Sequence, residues 1–211
     1  MKKMVNCALF VLFLSCNVLA EEIKPIQLSQ PDFNRGKSLM LSLKERQSRR
    51  QLSSRDLPLD LLSNLMWSAY GVNRPESGGR TAPSAVNWQE IDIYVAMPSG
   101  LYLYEPKQNF LNPVISKDIR EFAGKQAFVK TSPVVLIYVA NLSKMSKDAA
   151  DRSFYSAVDT GYISQNVYLF CASEGLATVV LGWVDKEGLA KVMNLRDDQK
   201  VILTQPVGYP E

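Results

Sequence analysis

The sequence predicts an α+β fold from three observations. Ile91–Met97 and Leu101–Glu105 are short apolar runs with strand character, and Pro98-Ser99-Gly100 between them is a hairpin signal. Val134–Val139 is a continuous apolar run, typical of a strand buried on both faces of a sheet. Lys147–Glu174 is predicted to be a long helix. These elements together in a chain of 211 residues favour one α+β domain.

The long helix has candidate capping residues at both ends. Ser146 is the predicted N-cap, and Gly175 is the predicted end. Its stretch Val167–Ala172 is apolar on all sides, which indicates burial in the core or at a subunit interface. Two shorter helices are predicted at Ser116–Ala123 and, capped by Asp185, up to Met193.

The first half of the chain contains the other predicted helices. Leu57–Tyr70 has apolar residues at i, i+3, i+4 spacing, with Pro58 suited to its first turn and Gly71 to its end. Leu41–Arg50 indicates the end of a short helix followed by a basic turn.

Two more strands and two irregular segments complete the prediction. Ala177–Leu181 and Val201–Val207 are predicted strands, and Pro206 indicates that the last strand is weakened or at an edge. Asn73–Ala82 is rich in glycine and arginine and is predicted to be a mobile connection. Residues 21–40 are polar and irregular, which predicts an extended N-terminal arm before a domain at residues 41–211.

The first 20 residues have the pattern of a secretory signal peptide. Lys2 and Lys3 precede the apolar run Ala8–Leu14, which is too short to span a bilayer, and Ala20 supplies a small residue at the end. This pattern predicts export, to the periplasm, with no stable membrane anchor after cleavage.

Two alternatives to cleavage remain at this segment. One is a retained membrane anchor, and the other is a lipoprotein modified at Cys16. Small residues usually precede a lipid-modified cysteine, whereas Phe13 and Leu14 stand before this one.

The composition excludes several kinds of catalytic site. There are 0 histidines, which rules out Ser-His-Asp and Cys-His arrangements and most catalytic zinc sites. Removal of residues 1–20 would leave Cys171 alone, so neither an intramolecular disulfide nor a thiolate metal site could form. Basic and acidic residues nearly balance, so nothing indicates a nucleic-acid partner. A bound organic cofactor is the natural source of chemistry.

Two polar stretches are candidates for binding such a cofactor. Arg80–Glu90 places Pro83, Ser84 and Asn87 beside Trp88, a combination that suits a planar polar ligand. The alternative is a loop that only connects two elements.

Upstream, Arg46–Arg50 has an Arg-x-Ser-x-Arg pattern. Guanidinium groups and a hydroxyl satisfy phosphate oxygens well, although a solvated charged surface would have the same composition.

The two stretches together resemble the FMN-dependent nitroreductase family, most closely its SagB-type (thiazole-oxidase) dehydrogenase branch. The matching segments occur in the family's order: Arg46–Arg50, Leu65–Pro75, Arg80–Ala85, Gly100–Tyr104 and Gly208–Pro210. The resemblance implies a nitroreductase-like fold, with a central, mostly antiparallel sheet flanked by helices, in a homodimer. It also implies an FMN-binding domain at residues 41–211.

The resemblance implies roles for the basic turn. Arg46 and Ser48 would hold the FMN phosphate, and Gln47 would line the ribityl and ring side. Arg50 would approach the pyrimidine oxygen and stabilise the reduced anion.

The resemblance also implies roles for three further segments. The partner subunit would contribute Pro83, Ser84 and Asn87. Either Gln126 or Lys130 would meet the pyrimidine edge. The backbone at Leu181 and Gly182 would face N5, and a glycine permits close approach there.

The implied function is oxidoreduction, with hydride passing through flavin N5 to or from a small organic substrate or electron acceptor. Family members commonly continue past Gly208–Pro210 to a basic pair that grips the phosphate, whereas this sequence stops at Glu211. Weaker FMN binding, or loss of it, is therefore expected. The alternatives are a non-catalytic flavin or small-ligand binding protein on the same fold and an interaction protein that keeps only the fold.

Overall fold

The computed structural model describes residues 23–211, so the predictions for residues 1–20 lie outside the described part. Within it, the strands are β1 (Ile26–Gln27), β2 (Val72–Arg74), β3 (Gly79–Arg80), β4 (Ile91–Met97), β5 (Gly100–Glu105), β6 (Phe110–Ile115), β7 (Val134–Asn141), β8 (Ala177–Thr178) and β9 (Gln199–Gly208). The α-helices are α1 (Leu39–Glu45), α2 (Leu59–Tyr70), α3 (Ala149–Glu174) and α4 (Lys186–Val192).

Seven strands form one sheet in the order β1-β6-β5-β4-β7-β9-β8, and every neighbouring pair is antiparallel. The two remaining strands, β2 and β3, pair with each other as a separate small hairpin. The predicted antiparallel sheet flanked by helices is confirmed.

The central strand β7 contributes side chains to two cores. Leu136 and Tyr138 pack with residues of α2 and α3, whereas Val135 and Ile137 pack on the opposite face with residues of α4. All four are 0% exposed, so β7 is buried on both faces as predicted. Burying an aliphatic side chain of this size contributes roughly 1.5–3 kcal/mol, so β7 fixes the position of both helical layers.

The helix predictions hold for α2, α3 and α4, with one corrected cap. Gly175 ends α3 with a φ of 71°, the left-handed conformation that glycine adopts at low cost. The N-cap of α3 is Asp148 and not Ser146, because the Asp148 carboxylate accepts from the Asp151 N–H at 3.0 Å. Asp185 caps α4 as predicted by accepting from the Gly188 N–H.

The predicted helix Ser116–Ala123 is wrong; the structure has a single 3-10 turn at Arg120–Phe122. Arg120 is nearly buried and donates to Ser132 O at 2.6 Å and to Asp118 at 2.7 Å. These contacts hold the chain as a compact turn against the following segment, and they override the local helix signal.

Several strand predictions also need correction. Two strands were missed, β1 within the predicted arm and β6 after the hairpin. The predicted mobile connection contains the β2–β3 hairpin. The strand predicted at Ala177–Leu181 shortens to β8 and a single bridge between Leu181 and Thr204.

Pro206 does not lie on an edge strand, because β9 is second from the edge. Thr204 exchanges both backbone hydrogen bonds with Leu181 on the outer side of β9. Since alternate residues point their N–H groups to the same side of a strand, Pro206 N also faces this sparsely paired side. The proline therefore removes no bond to β7.

Among residues 23–211, no helix has the length and apolar character needed to cross a membrane.

Candidate functional site

The basic turn Arg46–Arg50 leaves the C-terminal end of α1 and lies against β8. The Arg46 N–H closes the last turn of α1. The Arg49 N–H donates to Thr178 O at 2.9 Å, which ties the turn to the sheet. The other side chains of the turn are exposed: Gln47, Ser48 and Arg50.

Tyr168 on α3 contacts this turn and was missed by the sequence analysis. Its hydroxyl lies 2.9 Å from Ser48 Oγ and accepts a hydrogen bond from the Val180 N–H at 2.9 Å. The Arg46 guanidinium lies 5.4 Å from the centre of its ring, within cation–π range. The only sequence signal was a phenol within an otherwise apolar stretch.

An open groove of about 390 Å³ runs along the turn. Residues 47–50 line one side, and Gln51, Pro210 and Glu211 complete the lining. Glu211 is the one acidic residue of this lining, and its N–H donates to Gln51 O at 3.4 Å. The groove therefore presents guanidinium and hydroxyl donors together with one opposing carboxylate.

The predicted segment Leu181–Gly182 lies just beyond Val180, and therefore close to Tyr168. Leu181 is buried and Gly182 is exposed. A Cβ added to Gly182 would approach only a methyl group of Leu203, at 3.7 Å, so the backbone here is open to a ligand. This segment and the basic turn are thus brought together on one subunit.

Gln126 joins the same region, whereas Lys130 does not. A Cβ on Gly124 would lie 3.1 Å from both Gln126 Oε1 and a methyl group of Leu181, which places these two side chains side by side. Gln126 Oε1 is buried, and no donor within residues 23–211 bonds to it. Lys130 is exposed near the end of the 3-10 turn Ala127–Thr131, which begins directly after Gln126. Of the two candidates, Gln126 is therefore the one beside Leu181.

The loop after β3 has an unusual backbone. Val86, Asn87 and Gln89 have φ values of 47°, 58° and 49°. Asparagine tolerates this region, but a positive φ in a β-branched valine is a genuine outlier, and Val86 is 82% exposed. Strain of this kind requires support from neighbouring groups and is concentrated at functional sites.

Gln89 and Asp159 provide that support. The Gln89 N–H donates to Ser84 Oγ at 2.9 Å, and its side-chain amide donates to Asn87 Oδ1 at 3.0 Å. Asp159 on α3 accepts from the Ala85 N–H at 2.8 Å. The acceptor oxygens of Ser84 and Asn87 are thus engaged within the loop. Pro83 is exposed.

A buried carboxyl pair lies beneath this loop. Glu90 is 0% exposed and faces Asp159, which is 2% exposed. Burial is the main cause that raises the pKa of Glu90 to about 7, and the adjacent Asp159 adds to it. Glu90 therefore retains its proton to a higher pH than an exposed glutamate does.

The sequence analysis missed the role of Glu90 and Asp159. Asp159 lies on the same inner face of α3 as Ile163, four residues further along. The available signal was a carboxylate within an apolar helical stripe.

The candidate residues of one subunit form two separate groups. The loop group, which is the loop with Pro83, Ser84 and Asn87, contacts α3 at Asp159. The turn group, which is the basic turn Arg46–Arg50, contacts α3 at Tyr168. These positions are nine residues apart, or roughly 14 Å along a helix. One subunit therefore does not bring Ser84 and Asn87 to the basic turn.

The described residues offer no alternative centre for metal or thiol chemistry. No group of three or more Cys, Asp or Glu side chains in residues 23–211 is arranged to hold a metal ion. Cys171 is buried in α3, and burial raises the pKa of its thiol, which suppresses the reactive thiolate.

Comparison with known proteins identifies the class. Residues 43–209 match the family model "Nitroreductase family". A protein of Methanocaldococcus jannaschii named as a nitroreductase is 31% identical over 175 residues, which cover 78% of this chain and 87% of that one. A crystal structure from Ralstonia eutropha JMP134, also named as a nitroreductase, is 41% identical with a TM-score of 0.86, covering 92% and 91% of the two chains. This chain belongs to the nitroreductase family, whose members are generally flavin-dependent oxidoreductases.

More distant structures share the fold. A chain of the E. coli microcin synthetase McbBCD complex has a TM-score of 0.68 at 20% identity, over 96% of this chain and 85% of that one. The NADPH:FMN oxidoreductase of Vibrio harveyi has a TM-score of 0.63 at 18% identity, over 82% and 69%.

Proposed function

We propose that this protein is an FMN-dependent oxidoreductase whose basic turn holds the cofactor's phosphate. The observation that carries the proposal is a set of donors on one turn: the partly exposed Arg46 and the exposed Ser48 and Arg50. The bond from the Arg49 N–H to β8 fixes the backbone of this turn. Guanidinium groups and a hydroxyl match the oxygens of a phosphate dianion. The likeness in fold to the NADPH:FMN oxidoreductase of Vibrio harveyi supports FMN as the flavin.

The neighbouring residues suit a flavin ring. Gln126 Oε1 is a buried acceptor without a donor in the described part, which fits the N–H of a pyrimidine edge. Gly182 leaves an open backbone that would allow N5 to approach. Arg50 would stabilise negative charge on the pyrimidine, and Gln47 would line the ribityl side. When bound, FMN would supply two-electron hydride chemistry through N5.

The chain's own residues bind and orient in this proposal, and none acts as an acid or base. Nicotinamide cofactors are largely cytoplasmic, so an exported form would take electrons from a quinol, from a redox protein or from a reduced substrate that it oxidises. The reaction partner is a small organic substrate or electron acceptor.

A homodimer is part of the proposal, because the turn group and the loop group lie apart within one subunit. Four of the seven residues of α1 are apolar and 46–73% exposed: Leu39, Met40, Leu41 and Leu43. On α3, Phe154 and Tyr162 are 62% and 47% exposed, and Leu169 and Phe170 are partly exposed. Exposed apolar surface of this kind is typical of an interface. A second copy could then bring Pro83, Ser84 and Asn87 to the flavin.

Export to the periplasm also belongs to the proposal, and it depends on residues 1–20. The intact mass of protein from a periplasmic fraction tests it. A chain that begins near Glu21 supports export, whereas a mass that retains residues 1–20 contradicts cleavage, and a lipid adduct on Cys16 indicates the lipoprotein.

The second candidate is a non-catalytic flavin-binding protein. Glu211 favours it, because a carboxylate in the phosphate groove would weaken binding of an anion. Reduction of the bound flavin, followed by exposure to quinone or nitroaromatic acceptors, separates the two. Reoxidation supports the enzyme, and failure with every acceptor supports the binding protein.

The substitution that tests the phosphate site is Arg46→Ala. Loss of a charge-assisted contact costs about 1.5–3 kcal/mol, so FMN affinity should fall roughly ten- to a hundredfold. Titration followed by visible absorption measures this. Arg196→Ala is the matched control, because Arg196 pairs with Asp198 in an exposed loop away from the turn. Equal affinities of the Arg46 and Arg196 variants would contradict the assigned site.

A further inference from the structure

The hydroxyl of Tyr168 joins two parts of the candidate site that are far apart in sequence. It lies 2.9 Å from Ser48 Oγ in the basic turn and 2.9 Å from the Val180 N in the strand-end segment. The tyrosine side chain is 8% exposed, so its hydroxyl is held at a fixed place beside the exposed turn.

The donor and the acceptor of each hydrogen bond around this hydroxyl can be assigned one after the other. The Val180 N–H can only donate, so Tyr168 Oη accepts from it. The tyrosine has one hydrogen of its own, and it can donate that hydrogen to Ser48 Oγ. The hydroxyl hydrogen of Ser48 then points away from the tyrosine and is free for a ligand in the groove.

The ring of Tyr168 also contacts the Arg46 side chain of the basic turn. The guanidinium lies 5.4 Å from the ring centre, so the aromatic face restricts where this long side chain can go. One buried side chain therefore orients both a hydroxyl and a guanidinium of the basic turn.

We infer that Tyr168 is a positioning residue that aims the Ser48 hydroxyl at the phosphate of a phosphorylated flavin and makes the site select FMN over unphosphorylated riboflavin. The inference rests on the proposed function. Because Tyr168 acts on the phosphate donors, its hydroxyl contributes to affinity for FMN and not to affinity for riboflavin, which lacks the phosphate.

The experiment compares Tyr168→Phe with Tyr102→Phe in the full-length protein. Tyr102 is the matched control, since it is 3% exposed and its hydroxyl lies 3.1 Å from Ser99 Oγ in the β4–β5 hairpin. Dissociation constants for FMN and riboflavin are measured by flavin fluorescence. Loss of a neutral hydrogen bond predicts about a three- to tenfold weaker FMN affinity for Tyr168→Phe. Its riboflavin affinity, and both affinities of Tyr102→Phe, should equal those of the wild type.

A second variant tests the route through Ser48. Ser48→Ala removes the hydroxyl that would contact the phosphate, while Tyr168 stays in place. It should therefore give the same FMN-selective loss even if Tyr168→Phe does not fold. Adding Tyr168→Phe to Ser48→Ala should then change FMN affinity little.

Three results would overturn the inference. Equal loss of FMN and riboflavin affinity would show a merely structural tyrosine. Unchanged FMN affinity in Tyr168→Phe or Ser48→Ala would show that the tyrosine and serine hydroxyls do not contribute to phosphate binding. The proposal that the wild type binds FMN would still stand. Wild-type protein that binds no FMN at high micromolar concentration would overturn the proposed function, and this inference with it.

Discussion

At the residue scale, Glu90 is held in a setting that opposes its ionisation. Besides burial, Asp159 from α3 raises the pKa of Glu90, and Lys144 from the turn after β7 opposes this by lowering it. Burial and the same two carboxyl groups raise the pKa of Tyr70 of α2, whereas Arg80 of β3 lowers it. No hydrogen bond from residues 23–211 reaches either oxygen of Glu90. The proton on Glu90 therefore offsets the repulsion with Asp159, which in turn holds the strained loop through Ala85 N–H.

This arrangement predicts a pH dependence of the free energy of unfolding. The pKa of Glu90 is raised from 4.5 to about 7, so the native state retains a proton that the unfolded state releases. Stability is therefore highest below pH 4.5, as far as this group is concerned, and falls as the pH rises towards 7, by up to about 3 kcal/mol. Glu90→Gln should remove most of this slope in denaturant unfolding at pH 5 and pH 8.

Glu121→Gln, on an exposed turn, is the control for that substitution. A Glu90→Gln protein with the same pH slope as the wild type would mean that Glu90 is ionised in the native state.

The residues that the sequence could identify are those whose role does not depend on tertiary contacts. Arg46 and Ser48 stand in a charged, exposed stretch, and their composition alone indicated an anion site. Tyr168 and Asp159 act because α3 carries them to distant segments, which the sequence does not show. Residue type therefore pointed to the turn as a candidate site but not to the groups that contact its side chains.

At the element scale, α3 contacts both groups of candidate residues, the loop group at Asp159 and the turn group at Tyr168. An exposed stripe of α3 lies between these two contacts. Gly161 lies on this stripe, and a Cβ added there would meet no atom within 4 Å. A larger side chain at this position is therefore compatible with the fold of a single chain. In a helix, replacing glycine by a good helix former would even stabilise the monomer by about 1 kcal/mol.

Gly161→Leu consequently distinguishes a free surface from an interface. If α3 packs against a second copy here, the bulky side chain should shift the protein from dimer to monomer in sedimentation or light scattering. Glu187→Leu adds the same side chain to an exposed position of α4, on the opposite face of the sheet, and should leave the dimer intact. A wild-type protein that is a flavin-loaded monomer, or a Gly161→Leu dimer as tight as the wild type, would contradict this interface.

The elements that the sequence failed to predict are those that depend on a partner strand. Phe110–Ile115 contains Pro113 and lacks regular alternation, yet it forms β6 because it pairs with β5 and β1. The converse holds at Ser116–Ala123, where local helix signals lose to the buried contacts of Arg120. In contrast, α2, α3 and β7 have long periodic or apolar patterns that specify them locally.

At the scale of the whole molecule, the two groups of candidate residues contact α3 at different positions along its length. The basic turn and Gly182 lie towards its C-terminal end, and the loop of Ser84 and Asn87 lies towards its middle. A two-fold symmetric pair could bring the loop of one copy to the turn of the other. The central claim is therefore that FMN is bound by two subunits together.

Mixed dimers test this claim most directly. Arg46→Glu damages the turn, and Asn87→Asp damages the loop while keeping a residue that tolerates a positive φ. Each variant alone should bind little FMN, because both sites of its dimer are damaged.

When the two variants are co-expressed in equal amounts, half of the dimers should be mixed, and each mixed dimer should contain one intact site. The flavin absorbance should then recover to about a quarter of the wild-type value. Flavin content that stays at the level of the separate variants, in a preparation shown by mass spectrometry to contain mixed dimers, would contradict a site shared between subunits.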